Sequence, residues 1–351
     1  MHKISYSDIM GSRHIHFWFS AALLFVILSA ACVRNPYRVD LTGVECNLTV
    51  RDLGSEIFET PPPLLSARAD TLRNTFRKAL NVYSNVLGLG DPGDEKWKSS
   101  FILFATDLQN LALWDDVKRV WPSSQLLEED LESAFSHYLF YFPDATVPEI
   151  VTCMTVFNNS IIIDDSLLMI SLDRYLGENS KYYPSLGIYE YQSRKMTPVY
   201  AVPDCMYAWA TTEWDYSSMG YGPVTLMNTM MHEAKLLYFT RCMIPDLPDT
   251  VLFGFRQTQL DFCAENEAMI WEYLVSKDLL FSSDRFLIRK FTGEAPFTSY
   301  FTEESPGRAV VWTGYRIIER YMRNNPRVTL SELMKITNLQ TILSGARYNP
   351  G

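Results

Sequence analysis

One segment combines residue types and spacing suited to metal chemistry: Met230-Met231-His232-Glu233-Ala234-Lys235-Leu236. His-Glu opens the H-E-x-x-H pattern. In that pattern two imidazoles four residues apart share a helix face and meet one Zn²⁺, while the Glu between them activates a water. Here the second histidine position is Leu236, which carries no donor. Further along, Ala264-Glu265-Asn266-Glu267 offers Glu265 and Glu267 as carboxylates on a separate helix. One imidazole plus one carboxylate is a poor zinc site, so the expectation is no bound metal and no cofactor. The alternative use of the segment is a buried stripe of Met227, Met230, Met231, Ala234 and Leu237, with His232 and Glu233 making polar contacts at its edge.

Histidine supply limits other mechanisms. Beyond residue 32 the chain keeps only His137 and His232, so a three-histidine zinc site is excluded within one chain. No G-x-S-x-G is present to mark a serine nucleophile, and glycine-rich phosphate loops are absent. A second distinctive block is Ser305-Pro306-Gly307-Arg308-Ala309-Val310-Val311-Trp312. Pro306-Gly307 is a turn entering a helix. A cation in a first helical turn opposes the helix dipole, so Arg308 calls for an acidic partner. Glu265 or Glu267 is the expected one, forming either an ion pair between helices or one side of a ligand site.

These residues need a scaffold, and hydrophobic periodicity supplies it. Helices are expected over residues 65–87, ended by the glycines near 88–90, and over 125–142, stopped by Pro143. Later helices are expected over 203–215, 223–240, 257–275, 308–323 and 329–343, the last opening on a T-x-x-E capping box at Thr329 and Glu332. Between these groups, residues 150–157, 160–163 and 167–172 are short apolar, β-branched runs. Asn158-Asn159 and Asp164-Asp165 separate them as turn chemistry, and 43–50 alternates as a further strand. The expected fold is α+β, mostly helical around a small antiparallel sheet, as one domain over residues 43–351.

Composition agrees. Apolar residues make up 47% and aromatics 14% of the 351 residues, which supports a sizeable core rather than disorder. Net charge is −10 and no basic cluster stands out, which argues against a nucleic-acid partner and against electrostatic docking on an anionic bilayer. The six cysteines show no C-x-x-C spacing, so a zinc ribbon is excluded and buried free thiols are expected, although one or two disulfides would be open to an oxidising compartment.

The amino terminus carries Lys3 and Arg13, then an apolar run over 17–28, then Ser29-Ala30-Ala31-Cys32. The run suits a signal h-region and is short for a membrane span. Small residues before a cysteine suit lipoprotein processing, although Leu28 stands one place further from Cys32 than usual. The expectation is a signal peptide over 1–31 and a lipid anchor and tether over 32–42, with Cys32 lipidated. Val33-Arg34-Asn35 holds no acidic cluster, which favours a periplasm-facing orientation in the envelope.

Ordered blocks along the mature chain resemble the GldB family of gliding-motility-associated lipoproteins of Bacteroidota. They begin with the V-x-x-N-L-x-V pattern from Val44 and continue through His137-Tyr138, Tyr141-Phe142-Pro143 and Leu172-Asp173-Arg174-Tyr175-Leu176-Gly177. Tyr191-Gln192-Ser193-Arg194-Lys195-Met196, Val202-Pro203-Asp204, Glu265-Asn266-Glu267, Ala295-Pro296-Phe297-Thr298 and Ser305–Arg308 complete them. The resemblance implies an envelope lipoprotein of the gliding or type IX secretion machinery. Its partners would be envelope proteins of that machinery, and its scaffold a degenerate zincin-like one retaining His232 and Glu233. The competing function is a zincin-like metallopeptidase or hydrolase using the His232-Glu233 cleft. A third is a peptide- or glycan-binding module drawing on Trp209, Trp214, Tyr216, Trp271 and Trp312.

Replacing Cys32 by Ser is expected to release or mislocalise the protein without unfolding it. Fractionation showing the variant equally membrane-bound, with its signal cleaved, would rule out lipidation as the anchor.

Overall fold

The computed structural model describes residues 35–350, so the signal segment and Cys32 lie outside the described residues. From Asp40 onward the described residues form one compact unit, which carries everything that follows. Its first strand and helices are β1 (Val50–Asp52), α1 (Leu53–Phe58), α2 (Leu65–Thr75), α3 (Arg77–Leu87), α4 (Glu95–Thr106), α5 (Leu108–Val120) and α6 (Gln125–Tyr141). The strands β2 (Glu149–Cys153), β3 (Ile161–Asp164) and β4 (Leu167–Ser171) come next. The helical part then runs α7 (Glu190–Ser193), α8 (Ala201–Glu213), α9 (Leu226–Met243), α10 (Asp249–Leu252), α11 (Gln257–Glu265) and α12 (Glu267–Ser276). It finishes with α13 (Arg285–Thr292), α14 (Ala309–Asn324), α15 (Leu330–Lys335) and α16 (Leu339–Ala346).

The α+β class and helical majority hold. The expected antiparallel sheet is instead a mixed one in the order β1-β2-β4-β3. β1 pairs with β2 and β2 with β4 in parallel, and only β3 and β4 form an antiparallel hairpin. The Asp164-Asp165 turn closes that hairpin, with Asp165 at φ 51°, a left-handed conformation that Asp tolerates. The Asn158-Asn159 turn does not close a second hairpin. Val156 (φ 54°) and Phe157 (φ 65°) turn the chain away after β2, and β3 is laid on the far side of β4. Burial gives the reason: β4 is buried along its whole length, as is β2 from Ile150 onward. Continuous apolar runs are the signature of parallel strands covered on both faces, whereas antiparallel strands with one wet face alternate.

Asp173 fixes the turn at Val156 and Phe157. Its buried carboxylate accepts from Ser171 Oγ at 2.5 Å, Phe157 N at 2.5 Å and Thr155 N at 3.2 Å. Two successive left-handed residues aim neighbouring N–H groups inward, and a carboxylate is what such a concavity holds.

Several expected helices are broken where a local conformation departs from helix. Residues 65–87 split at Phe76 (φ −118°, ψ 28°), and 257–275 splits at Asn266 (φ −109°, ψ 14°). Gly88 ends α3 in the left-handed region, as the glycine pattern required. Thr329 and Glu332 form the reciprocal capping box at the start of α15. The alternation over 43–50 is real as burial, with Cys46, Leu48 and Val50 inside, but ladder pairing begins only at Val50. The five described cysteines, Cys46, Cys153, Cys205, Cys242 and Cys263, are buried and free. Among the described residues no helix is long and apolar enough to cross a membrane.

The organising element is α9, which is buried on nearly every side: only Thr229 and Glu233 escape full burial. Its principal partners are α14, α8, α13 and α6, so the helix carrying His232 and Glu233 packs among helices and not on the sheet. A zincin-like scaffold therefore finds no support. Where α14 crosses α9, Gly314 sits against Met230 and Ala234. A Cβ at Gly314 would come within 2.9 Å of Met230 Cγ and 3.2 Å of Ala234 Cβ, so only glycine permits the close approach. Phe142, Trp214 and Phe239 cluster on the other flank, with Trp214 and Phe239 ring centroids 5.2 Å apart.

Candidate functional site

The close crossing of α9 and α14 decides where Arg308 lands. Arg308 does not occupy the first turn of α14 but precedes it as the N-cap, in a left-handed conformation with φ 62°. Gly307 before it lies against the backbone of Ala295; a Cβ there would fall 2.3 Å from the Ala295 carbonyl oxygen. This packing points the Arg308 guanidinium back over α9.

Its partner corrects the expected one. Arg308 Nη2 meets Glu233 Oε2 at 2.7 Å, and Nη1 meets Glu294 Oε1 at 3.2 Å. Glu265 is exposed on α11. Glu267 accepts from the Tyr348 hydroxyl at 2.7 Å and pairs at 3.7 Å with Arg316. So the two expected carboxylates are not brought to Arg308, and the one that is belongs to the His-Glu motif itself.

The network extends further. Tyr207 on α8 donates its hydroxyl to Glu233, and Arg308 Nη2 lies 3.4 Å from that hydroxyl oxygen. Lys195 Nζ reaches Glu294 Oε2 at 2.8 Å. Tyr175 donates to the buried carboxyl of Asp204 at 2.9 Å. Burial alone would lower the Arg308 pKa, but Tyr207, Glu233 and Glu294 outweigh it and hold the guanidinium charged. Burial raises the Tyr207 hydroxyl, with Glu233 adding to that effect and Arg308 opposing it. Burial would likewise raise Glu294, but Lys195 and Arg308 bring its carboxyl below the ordinary range. Burial pushes Asp204 up to about 6, against the pull of the Tyr175 hydrogen bond and Lys195.

Residues from α8, α9, the 294–308 segment and the turn just after α7 thus share one set of charges, the two cations Arg308 and Lys195 facing Glu233 and Glu294. Sequence reasoning missed Tyr207, Glu294, Lys195 and Asp204. Lys195 and Asp204 stood inside blocks already quoted, Tyr191–Met196 and Val202–Asp204, but without a role. The blocks Asp173–Gly177, Arg194–Met196, Ala295–Thr298 and Ser305–Arg308 supply or brace this network. Thr298, for example, donates both N–H and hydroxyl to the Pro306 carbonyl, at 3.1 and 2.8 Å.

His232 points elsewhere. Its Nδ1 lies 3.1 Å from the Tyr221 hydroxyl, and its ring meets Tyr216 edge-on at 5.1 Å. Lys235, one turn on, is buried and donates to the Tyr221 hydroxyl (3.2 Å) and to the carbonyls of Met334 (2.9 Å) and Ile336 (3.0 Å). Burial lowers Lys235 to about 7 and His232 to about 4, the latter opposed by Glu233 and helped by Lys235. The other described histidine, His137, bonds the Ser133 carbonyl through Nδ1 at 2.8 Å.

As a zinc site the set does not fit. Leu236 is buried apolar packing where the second imidazole would stand. Among the described residues no group of three or more His, Cys, Asp or Glu side chains is placed to hold a metal ion. Glu233, which would have to activate water, is engaged by a guanidinium and a phenol. The aromatic residues proposed for ligand binding are used internally: Trp209 and Trp312 are buried, and Trp271 meets Tyr348 edge-on at 5.2 Å.

Comparison with known proteins adds one match. The family model described as gliding motility protein GldB matches residues 34–350. No curated protein and no solved structure matches.

Two expectations follow from the geometry. Arg308→Ala strands Glu233 without its cation and should lower unfolding free energy by about 3 kcal/mol, the scale for breaking one side of a largely buried pair. Adding Glu233→Gln should restore part of that loss in denaturant titrations; a strictly additive double mutant would count against the pair. The second concerns His232, whose folded pKa lies below its unfolded one. Its contribution is therefore complete above about pH 6.5 and lost as pH falls toward 4, by up to ~3 kcal/mol at about 1.4 kcal/mol per unit. His232→Gln should flatten the acid limb of the stability profile over that window; an unchanged limb would contradict the buried neutral imidazole.

Proposed function

The chain belongs to the GldB family, whose members are gliding-motility-associated lipoproteins, and we propose that it serves that machinery as a non-catalytic assembly or interaction factor. The observation that carries this reading is the engagement of Glu233. A zincin needs that carboxylate free beside a metal-bound water. Here Arg308 and Tyr207 both bind it, and Leu236 replaces the second ligand. A carboxylate held this way fixes three chain segments relative to one another, which suits a rigid surface presented to partners.

The envelope placement follows the family and the amino-terminal pattern: a signal over 1–31, a lipid on Cys32, a tether to about residue 42, and a domain facing the periplasm. The anchor is the lipid, since the acidic chain has little attraction for an anionic bilayer. The partners are other envelope proteins of the gliding and type IX secretion apparatus.

Glu233→Gln keeps the shape and the Tyr207 and Arg308 contacts in weakened form. Introduced into a deletion strain of a gliding relative, at normal abundance, it should restore motility and secretion to at least half the wild-type level. A peptidase would lose essentially all function with that change. Protein purified without chelators, assayed for metal, provides the second readout. A folded Glu233→Gln protein that fails to complement, or stoichiometric zinc in the wild type, would overturn the non-catalytic reading.

A further inference from the structure

A cleft of about 600 Å³ opens beside the charged network, between the segment around Tyr189–Arg194, the start of α11, and the loop over 296–304. Its walls hold two kinds of group that the folded chain leaves incompletely used. The first is a pair of arginines. Arg194 is half-buried and held through Nη2 by the Gly254 carbonyl at 3.1 Å. Arg256 stands close enough that, after burial, its charge is the next largest influence lowering the Arg194 pKa. Glu190 pairs with Arg256, and among the described residues no carboxylate pairs with Arg194 within bonding distance. The second is a flat aromatic platform. Tyr189 and Tyr191 lie nearly parallel, at 11° and 5.9 Å, and Tyr189 is 67% exposed, far more than a packing role needs.

We propose that this cleft binds a sugar residue bearing a carboxylate, with the pyranose ring on the Tyr189 face and the carboxylate on the Arg194–Arg256 pair. A bidentate fork is the natural partner of a carboxylate, and an exposed aromatic face is the natural partner of the C–H face of a sugar ring. The opposite rim decides the class. Glu303 and Glu304 would repel an acidic peptide or a polyphosphate, but carboxylates, together with Gln259 and Thr258, are good acceptors for ring hydroxyls. A ligand with one negative group and many hydroxyls meets every wall; a polyanion meets only one.

The test is binding by the mature chain of a neutral oligosaccharide that carries a single uronic acid residue, compared with the same oligosaccharide after carboxyl reduction. Calorimetry should give at least tenfold tighter binding of the acidic form. Arg256→Gln, which removes only a surface ion pair, should erase that preference. Tyr189→Ala should weaken both forms at least threefold. Equal binding of the acidic and reduced forms, no binding of either, or tighter binding of an acidic peptide would overturn the proposal. The readout is binding alone, so its failure leaves the complementation test of the non-catalytic role untouched.

Discussion

The contact on which the helical part depends is the one between Arg308 and Glu233. Such a pair adds little net stability by itself, because desolvating two charges offsets most of their attraction. What it adds is selectivity among packings. Helices α9 and α14 bury mostly apolar surface on each other, and apolar surface tolerates sliding. A guanidinium that meets Glu233, Glu294 and the Tyr207 hydroxyl at once does so in one register only. The small residues make this register reachable: Gly314 lets the helices close, and Gly307 lets the chain pass the Ala295 carbonyl so that Arg308 faces inward.

Helix α9 pays a corresponding cost for lying inside the fold, since polar groups on it must find partners from other elements. His232, Lys235 and Tyr221 solve this together, with Tyr221 set between imidazole and ammonium and two carbonyls at the end of α15 completing the lysine's donors. A helix with polar residues and burial on all sides has no strong amphipathic signal. The motif His232-Glu233 thus serves two separate networks, one through each residue, and neither resembles a metal centre.

That explains which parts were legible beforehand. Local signals worked: Gly88, the Thr329–Glu332 box and Pro143 placed helix ends. Signals that depend on distant pairing did not. The apolar runs around 150–172 revealed strands but not their order, because hairpin turn chemistry at Asn158-Asn159 was outweighed by burial of β2 and β4 on both faces. The need for an acid beside Arg308 was readable from its place at a helix start, but not which acid. Glu233 lies 75 residues away and becomes its neighbour only through helix crossing. Helices α4, α5 and α13 escaped notice for two reasons: α4 and α5 carry only weak amphipathic periodicity, and α13 is brief.

The parallel pairing of β1 with β2 has a consequence for how the molecule comes into being. Val50 pairs with Ile150, partners separated by 100 positions (150 − 50). A strand delivered early must therefore wait, its edge unsatisfied, while α1 to α6 are made and β2 arrives. Loop closure over such a span is slow compared with helix formation. During that interval the Val44–Val50 segment, with its buried alternate residues, is the exposed sticky surface of an immature chain. Assembly of this domain is thus governed by how long a newly delivered amino-terminal strand can be kept from pairing with the wrong neighbour.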